Sequence, residues 1–225
     1  MSFPFRYAAE IRPRFPKLCS GALLIDGVDG TAGPPRAIAR FTGMADCRLA
    51  VASEGGLPEI RAWRRAFAAM GLKPTQHRCA SEALLRRYRK EGALPARHPL
   101  IDLCNAASLG FAIPVAVFDT ARIAGALTVR SADGGEAYET LAGGIERPEP
   151  GEIIFADEGG RAHARRWTSR QSGWSAIRAS TTQALIVAEA LHETGGEDVA
   201  ALMATLARAL AETWPGAVVT EVAPR

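Results

Sequence analysis

The order of segments along this 225-residue chain predicts an α+β fold. Apolar residues at helical spacing dominate the first half. From residue 113 onwards, short apolar runs alternate with Asp-Gly, Gly-Gly and Pro-Gly pairs, which indicates strands joined by turns. A last amphipathic helix and a strand follow. Helices and strands that are segregated in this way favour mostly antiparallel sheets, sandwich-like, with helices flanking them.

The composition predicts one globular domain. With 48% hydrophobic and 23% charged residues, the chain matches an average globular protein, and no internal repeat or long linker divides residues 1–225. No apolar run approaches the roughly 20 residues that span a bilayer. The first residues lack the apolar core of a signal peptide, so we expect a cytoplasmic protein. The net charge of +3 is too modest for a surface that is basic throughout.

The chain begins with an aromatic and proline-rich stretch. Residues 1–16 are expected to lie on the surface as an arm. An apolar run at 18–25, ended by Asp26-Gly27, predicts a buried strand. The loop at 27–35 is rich in glycine and proline. It has neither the GxGxxG spacing nor the GK[ST] ending of a phosphate-binding loop.

Three amphipathic helices are expected before the strands. In each of them apolar residues recur at steps of three and four. The second helix begins at Ser81, whose hydroxyl suits an N-cap position. The three helices are expected over residues 58–70, from Ser81 onwards, and over 99–109.

The second half predicts a series of short strands. Arg130 and Glu136 are expected to form an ion pair across one of the hairpins. A final helix is expected at 197–213 and a closing strand at 217–222. The other strands are expected at 113–118, 125–130, 137–141, 152–155, 161–167 and 184–191.

The cysteine and histidine residues do not predict a metal site. The four cysteines form no CxxC pair, and the histidines include no pair at i,i+4 spacing. His77 and Cys79 could ligate a metal together, but a second pair is missing. We therefore expect neither a metal nor another cofactor, and reduced, buried cysteines. GxSxG and HExxH motifs are also absent, which leaves nucleophilic catalysis without support.

Three polar residues share one face of the third helix. Asp102, Asn105 and Ser108 are spaced by three residues and flanked by leucine and isoleucine, so they should be buried or line a cleft. A buried polar group without a partner costs about 1–3 kcal/mol, so these groups need partners. They either form a hydrogen-bond network that ties the helix to the strand at 114–119 or face a ligand.

The run Arg165-Arg166-Trp167-x-x-Arg170-Gln171 is the richest cluster of candidate binding residues. On a continuous strand, Arg165 and Trp167 would face one way and Arg166 the other. An arginine beside an aromatic ring can stack on a base, or clamp a phosphate or carboxylate. The alternative is an internal ion pair of Arg165 or Arg166 with Asp157 or Glu152.

The second helix carries a concentration of positive charge. Five basic residues fall within 13 positions, offset by Glu82. If they cluster on one face they would suit a tRNA backbone, because phosphate contacts supply most sequence-independent affinity. The alternative is an ordinary solvated helix face. The five residues are Arg78, Arg86, Arg87, Arg89 and Lys90.

Several short motifs between Gly71 and Gln171 occur in a characteristic order. They are GLKP at 71–74, SEALLRR at 81–87, LP at 94–95, IDLCNAAS at 101–108, IP at 113–114, FD at 118–119, GEIIFAD at 151–157 and RRWTSRQ at 165–171. In this order they resemble the B3/B4 domain of the bacterial phenylalanyl-tRNA synthetase beta subunit, and still more the free-standing B3/B4-domain proteins. The resemblance covers residues 57–191. In the synthetase this domain hydrolyses tRNA mischarged with tyrosine, so the resemblance implies tRNA-linked editing with tRNA or aminoacyl-tRNA as the partner.

The resemblance also implies a cavity between the helix at 102–108, the strand at 114–119 and the segment 167–182. In a hydrolytic site, Asn105 and Thr181 would donate hydrogen bonds to the aminoacyl ester or its amine. Asp119 would order a water or the ammonium group. A positioned water and donors for the oxyanion suffice for deacylation, without a nucleophilic side chain or a metal. Substrate contacts are expected from Asp102, Ser108, Trp167 and Thr182, and RNA contacts from Arg86, Arg87, Arg166 and Arg170.

Two residues of the synthetase's editing site are replaced in this chain. Ala116 stands where the family's motif has histidine, and Ala176 falls where it has the glutamate that recognises tyrosine. Without that acceptor a phenolic hydroxyl would stay unpaired, which argues against tyrosine specificity. The expected function is a free-standing hydrolase of mischarged aminoacyl-tRNA. The alternatives are a non-catalytic module that binds tRNA or an amino-acid-like ligand, and an enzyme acting on an unrelated small molecule.

Overall fold

Helices and strands follow one another in nearly the order that the sequence predicts. The structure, a computed structural model, describes residues 3–224. The helices are α1 (Ile11–Arg14), α2 (Pro35–Val51), α3 (Pro58–Ala69), α4 (Ala80–Glu91), α5 (Pro99–Phe111) and α6 (Gly195–Thr213). The strands are β1 (Phe5–Tyr7), β2 (Cys19–Asp26), β3 (Val115–Asp119), β4 (Leu127–Ser131), β5 (Tyr138–Glu139), β6 (Ile145–Glu146), β7 (Ile153–Ala156), β8 (Ala162–Arg165), β9 (Arg170–Gln171), β10 (Gln183–Ala190) and β11 (Val218–Glu221). Over residues 3–224, none of the helices has the length and apolar character needed to cross a membrane.

The strands form two main sheets and one short hairpin. The first sheet has the order β1-β4-β7-β8-β9, and its pairs are antiparallel except β1 with β4. The second sheet has the order β11-β2-β10-β3 and is antiparallel throughout. Strands β5 and β6 pair with each other. The predicted α+β class with mostly antiparallel sheets is confirmed.

The central strand β10 separates two hydrophobic cores. Its side chains alternate: Leu185 and Val187 pack in the core shared with the first sheet and α3, whereas Ile186 and Ala188 pack against α5 and α6. Because both faces are buried, β10 is almost continuously apolar, with Gln183 at its start and Glu189 as the exceptions. The first sheet and α3 therefore lie against one face of the second sheet, with α5 and α6 on the other.

The N-terminal stretch is part of the core. Strand β1 pairs with β4, and Phe5 stacks on Phe155 with 6.2 Å between ring centroids. Phe15 meets Trp167 edge-on at 4.8 Å. The expectation that residues 1–16 lie on the surface does not match this packing, although the first two residues lie outside the described part of the chain. Burial of these aromatic rings attaches the stretch to both sheets.

Every helix and strand expected after residue 57 is present, with ends that differ by a few residues. The N-cap of α4 is one such difference. This helix begins at Ala80 with Cys79 at the N-cap position, so the assignment of that role to Ser81 is wrong. Ser81 is buried inside the first turn, and its hydroxyl lies 3.4 Å from the sulfur of Cys79.

Helix α2 has no counterpart among the expected elements. Only Phe41 and Ala45 are buried among its residues, so little of this helix is enclosed in the core. The helix is positioned by close packing on α5. A Cβ atom added to Gly110 of α5 would lie 2.9 Å from the carbonyl oxygen of Phe41. Only a glycine allows the two backbones to approach so closely.

Candidate functional site

The turn that follows β8 has an unusual backbone. Strand β8 ends at Arg165, and both Arg166 and Trp167 adopt left-handed conformations with φ of 47° and 56°. Such conformations cost about 1–3 kcal/mol each and persist where the surrounding structure enforces them. Here the amide of Arg166 donates to Glu152 Oε1 at 2.8 Å, and that of Trp167 donates to the carbonyl of Ile153 at 2.7 Å. The expected alternation of 165–167 along one strand is therefore wrong.

Two arginines of the predicted binding cluster are held by carboxylates within the chain. Arg165 is buried and pairs with Glu152 at 2.8 Å and with Glu146 at 2.7 Å. Arg170 pairs with Glu146 at 2.9 Å. Burial opposes ionisation of Glu152, but the hydrogen bonds from Arg165 and from the Arg166 amide hold its pKa below the ordinary value. Of the two interpretations offered for Arg165, the internal ion pair is confirmed.

The indole of Trp167 lies wholly inside the protein. It meets Trp63 edge-on at 5.0 Å, and its exposed fraction is 0%. Its Nε1 donates a hydrogen bond to Oε1 of Glu189 at 2.9 Å. In this arrangement Trp167 positions a carboxyl group and leaves no ring face open for a base.

Glu189 is a buried carboxyl group between the two sheets. The hydroxyl of Tyr7 donates to the same oxygen, Oε1, at 2.7 Å. Among the hydrogen bonds of the described residues, none reaches Oε2. Burial raises the pKa of Glu189 to about 7, against the opposing effect of the bonds from Trp167 and Tyr7. At neutral pH this group therefore exists in both protonation states.

Glu189 lines a cavity that we call the inter-sheet cleft. It lies between the beginning of β3, the β8–β9 turn and β10, and has a volume of about 60 Å³. One water needs about 10–15 Å³ of such space, so the cleft admits several water-sized groups. The hydroxyl oxygen of Thr168 is buried and makes no hydrogen bond among the described residues. The lining consists of Ala80, Pro114, Val115, Ala116, Phe155, Ala164, Trp167, Thr168, Ser169, Arg170, Gln171, Val187 and Glu189.

Asp119 and Thr181 lie together at the other end of β3. The Thr181 hydroxyl donates to Asp119 Oδ2 at 2.8 Å and accepts from the amide of Arg178 at 3.0 Å. The other Asp119 oxygen accepts from the amide of Ala121 at 3.0 Å. Both side chains are buried and close the turns at this end of the strand. Thr182 is exposed next to them.

Asp102, Asn105 and Ser108 do not face one common site. Asp102 and Asn105 line a second, larger cavity of about 290 Å³ between α2, α5 and the loop at 92–96. Asp102 also accepts from the amide of Arg97 at 3.0 Å. Ser108 is fully buried and donates to the carbonyl of Ile113 at 2.6 Å. This last bond ties the end of α5 to the residue just before the predicted strand at 114–119, and it involves only one of the three residues of the expected network.

Several basic residues in and around α4 are paired with glutamates, of which Glu54 and Glu82 are buried. Arg86 and Arg89 lie 3.2 Å and 3.0 Å from the carboxylate of Glu54, and Arg64 of α3 pairs with Glu82 at 2.6 Å. Arg78 and Arg87 are likewise close to the carboxylates of Glu82 and Glu91. The predicted pair of Arg130 and Glu136 is also present. Much of the positive charge predicted to face RNA is therefore compensated within the fold.

A buried Asp–His–Ser constellation lies away from the cleft. His163 Nδ1 is 2.8 Å from the Ser175 hydroxyl, and His163 Nε2 is 3.1 Å from Asp157 Oδ2. Burial disfavours the charged form of Asp157, but the adjacent His163 imidazole and hydrogen bonds from the amides of Ala124 and Arg161 lower its pKa to about 2. His163 and Ser175 are wholly enclosed, so no substrate can reach the serine. Asp157 is thus paired with His163 and not with an arginine.

The cysteines are free thiols in several environments. Cys79 and Cys104 are buried as expected, and burial raises the pKa of Cys79 to about 11. Cys47 is exposed, which the expectation of buried cysteines missed. None of the four is paired in a disulfide among the described residues.

The residues that define the inter-sheet cleft were only partly identified from sequence. Glu189 and Thr168 were not among the candidates. The signal for Glu189 was nevertheless present, because it is the one charged residue within the apolar run 184–191. A carboxyl group in a strand that is buried on both faces is rare unless it is paired or functional.

Comparison with known proteins identifies the family. The family model described as "B3/4 domain" matches residues 62–201, so the chain belongs to the B3/4 domain family. The phenylalanine–tRNA ligase beta subunit of Cereibacter sphaeroides is 30% identical over 92 residues, which is 41% of this chain and 11% of that subunit. An N-terminal fragment of the phenylalanyl-tRNA synthetase beta subunit from Pyrococcus horikoshii aligns with a TM-score of 0.45 and 16% identity. That alignment covers 55% of this chain and 42% of the fragment. The chain thus matches only a small part of the length of its curated relative.

Proposed function

We propose that this protein is an editing factor that hydrolyses the ester of a mischarged aminoacyl-tRNA in the inter-sheet cleft. The family supports the connection to tRNA, because its matched relative is a phenylalanine–tRNA ligase beta subunit. The observation that carries the proposal is the pair of groups in the cleft. Glu189 is a buried carboxyl group whose pKa is raised to about 7, and Thr168 offers a buried hydroxyl without a partner.

The two groups supply what ester hydrolysis requires. Glu189 in its ionised form accepts a proton from a water as that water attacks the ester carbonyl carbon. A general base works best when its pKa lies near the operating pH. The Thr168 hydroxyl donates to the carbonyl oxygen as negative charge develops there. When the tetrahedral intermediate collapses, the 3′-terminal oxygen of the tRNA leaves and takes the proton from Glu189, which returns that carboxylate to its ionised form.

The size of the cleft selects a small aminoacyl group. Its volume of about 60 Å³ and its apolar walls leave room for a short side chain and a water. Ala116, at the position of the family's histidine, lines this space. We therefore expect alanyl or seryl esters to be better substrates than tyrosyl esters.

The tRNA end is held beside the β8–β9 turn. Arg166 precedes Trp167 in that turn, and no carboxylate among the described residues lies within 4.0 Å of its guanidinium. Arg170, which lines the cleft, is in contrast bound to Glu146. An unpaired arginine at this position suits the terminal phosphates of the tRNA.

A deacylation panel tests the proposal. The substrates are tRNAs charged with alanine, serine, phenylalanine and tyrosine. Hydrolysis of the small aminoacyl esters above the spontaneous rate is expected, together with a loss of at least about 10²-fold in Glu189→Gln, the order that general bases contribute. Thr168→Val should lose less. Glu193→Gln removes a carboxylate with 83% exposure and serves as the matched control, because its activity should equal that of the wild type. Hydrolysis that is unchanged in Glu189→Gln would contradict the assignment.

A binding module without turnover is the second candidate. It is favoured by the loss of two polar residues that the family motif carries, at Ala116 and Ala176. The same panel decides, because a module would bind aminoacyl-tRNA or an amino-acid analogue and leave every ester intact. In that case Thr168→Val should weaken binding, and neither the variant nor the wild type should hydrolyse any ester above the spontaneous rate.

A further inference from the structure

A second polar cluster lies apart from the inter-sheet cleft, where α3 meets the start of α6. It consists of Glu59 on α3, His192 after β10 and Asp198 in the first turn of α6. One potential ligand atom from each residue lies within 4.8 Å of the other two. None of these residues lines the inter-sheet cleft, and sequence spacing gave no hint of the cluster because Glu59 is distant from the other two.

The cluster contains buried polar atoms that have no partner. Glu59 and His192 are 4% and 6% exposed. Oε2 of Glu59 and Nδ1 of His192 are buried and make no hydrogen bond among the described residues. Each unsatisfied buried group costs about 1–3 kcal/mol, so a protein normally provides partners. Two such atoms in one cluster indicate a partner that the chain itself does not supply.

The remaining atoms of the cluster are held in place by neighbours. Oε1 of Glu59 accepts from Arg48 Nη1 at 2.6 Å. Asp198 Oδ2 lies 2.8 Å from His192 Nε2 and accepts from the Thr194 hydroxyl at 2.6 Å. The bonds from Arg48 and Thr194 orient the two carboxylates, as supporting bonds do in protein metal sites, whereas the contact between His192 and Asp198 joins two potential ligands and would give way to a bound ion. Arg48 offsets only one of the two negative charges, so the cluster can accept a cation.

We propose that Glu59, His192 and Asp198 bind one divalent transition-metal ion, with Zn²⁺ as the best match. One imidazole and two carboxylates form a mixed nitrogen and oxygen set, which suits Zn²⁺ better than Ca²⁺ or Mg²⁺. Ligands at about 2.0–2.2 Å from one ion lie within about 4.4 Å of each other, so small side-chain rotations would complete the site. The bound ion would join α3 to α6, and through Arg48 also to α2.

Metal binding to the intact protein tests this site. Chelator-treated and dialysed protein is titrated with Zn²⁺ by calorimetry and with Co²⁺ by absorption. One equivalent should bind and raise the melting temperature, because an ion that binds only the folded state stabilises it. The Co²⁺ spectrum should show ligand-field bands without a thiolate charge-transfer band, since no cysteine belongs to the cluster.

Variants identify the ligands. Asp198→Asn and Glu59→Gln should each weaken Zn²⁺ binding about 10-fold or more. His77→Gln is the matched control: it removes a histidine that lies near Cys79 in sequence, and Zn²⁺ affinity should be unchanged. The absence of saturable binding by the wild-type protein would overturn the proposal. So would a thiolate band that disappears in Cys47→Ser, or equal Zn²⁺ affinity in wild type and both carboxylate variants. The wild-type titration decides even if a variant fails to fold.

Discussion

At the scale of single residues, Glu189 is the most important group for the proposed reaction. Its carboxyl group receives two hydrogen bonds from aromatic side chains on one oxygen, and the residue lines the cleft. Burial takes the group out of bulk water, which makes its ionised form costly and raises its pKa. The same burial that stabilises the sheet packing therefore gives the protein a group that exchanges protons near neutral pH.

Protonation of Glu189 predicts a pH dependence of stability. The folded-state pKa of about 7 lies above the ordinary value of 4.5, so the folded protein binds the proton more tightly than the unfolded chain. The stabilisation is present below pH 4.5 and is lost as pH rises towards 7, by about 3 kcal/mol in all. Urea unfolding of Glu189→Gln and wild type between pH 5 and 8 checks this. The difference between the two proteins should change across that window, and a constant difference would contradict the pKa.

Thr181 and Asn105 should respond differently to truncation. The Thr181 hydroxyl makes two buried bonds, so Thr181→Ala should lower the free energy of unfolding by about 1–3 kcal/mol. Deacylation per folded molecule should stay constant. Asn105 lines the larger cavity and its side chain makes no hydrogen bond among the described residues, so Asn105→Ala should change stability by less than about 1 kcal/mol. Thermal melts combined with the deacylation assay separate the effects. If Thr181→Ala loses turnover while its stability is unchanged, Thr181 acts in the catalytic site and not in the structure of the turn.

At the scale of elements, the close contact of α2 with α5 depends on a glycine, Gly110, at the point where the two helices meet. Gly110→Ala places a Cβ atom 2.9 Å from the carbonyl oxygen of Phe41, so the helices must separate. We expect a loss of roughly 1–3 kcal/mol in unfolding free energy. Gly43→Ala, in α2 itself, is the matched control because nothing lies within 4 Å of its added Cβ. That change should be neutral or stabilise by up to about 1 kcal/mol. Similar losses at both positions would argue against the close approach.

The charge on α4 should act on stability more than on RNA binding. Arg86 and Arg89 are about half exposed but are the partners of the buried carboxylate of Glu54. Replacing both by glutamine leaves that carboxylate unpaired and should destabilise the protein by more than about 1 kcal/mol. The salt dependence of tRNA binding should stay the same, because these charges are already neutralised. A salt slope lower by about two would show that the helix does contact phosphates. Arg166→Gln is the comparison variant. It should reduce the salt dependence of tRNA binding, because Arg166 is proposed to contact the phosphates.

At the scale of the whole molecule, the N-terminal stretch joins the two sheets. Phe5 lies in the shared core, and Tyr7 extends the first sheet while its hydroxyl bonds to Glu189 of the second. Phe5→Ala should therefore cost about 3–5 kcal/mol, the usual value for a buried phenylalanine. Chemical denaturation measures this loss. Tyr7→Phe removes only the hydroxyl, so it should alter the pH dependence assigned to Glu189 with a smaller loss of stability. A Phe5→Ala protein as stable as the wild type would mean that the stretch is only an arm.

The fold class, the order of the elements after residue 57 and the family could all be read from the sequence. The two-residue period of strands, the three- to four-residue period of helices and the turn dipeptides are all patterns of nearby residues. They can therefore be recognised without knowing which distant residues pack against them. Helix α2 was not predicted from the sequence, because its position depends on packing against Gly110 of α5. A contact between residues so far apart leaves no local sequence pattern.

Only the tertiary structure decided which charges find partners and which polar groups face a cavity. Glu54 neutralises arginines more than thirty positions away, and Trp167 is enclosed by Phe15 and Trp63. The inter-sheet cleft brings Thr168 and Glu189 together, and the proposed metal site joins Glu59 to His192. These contacts are set by how the sheets and helices pack, because burial and electrostatics depend on distance in space and not along the chain.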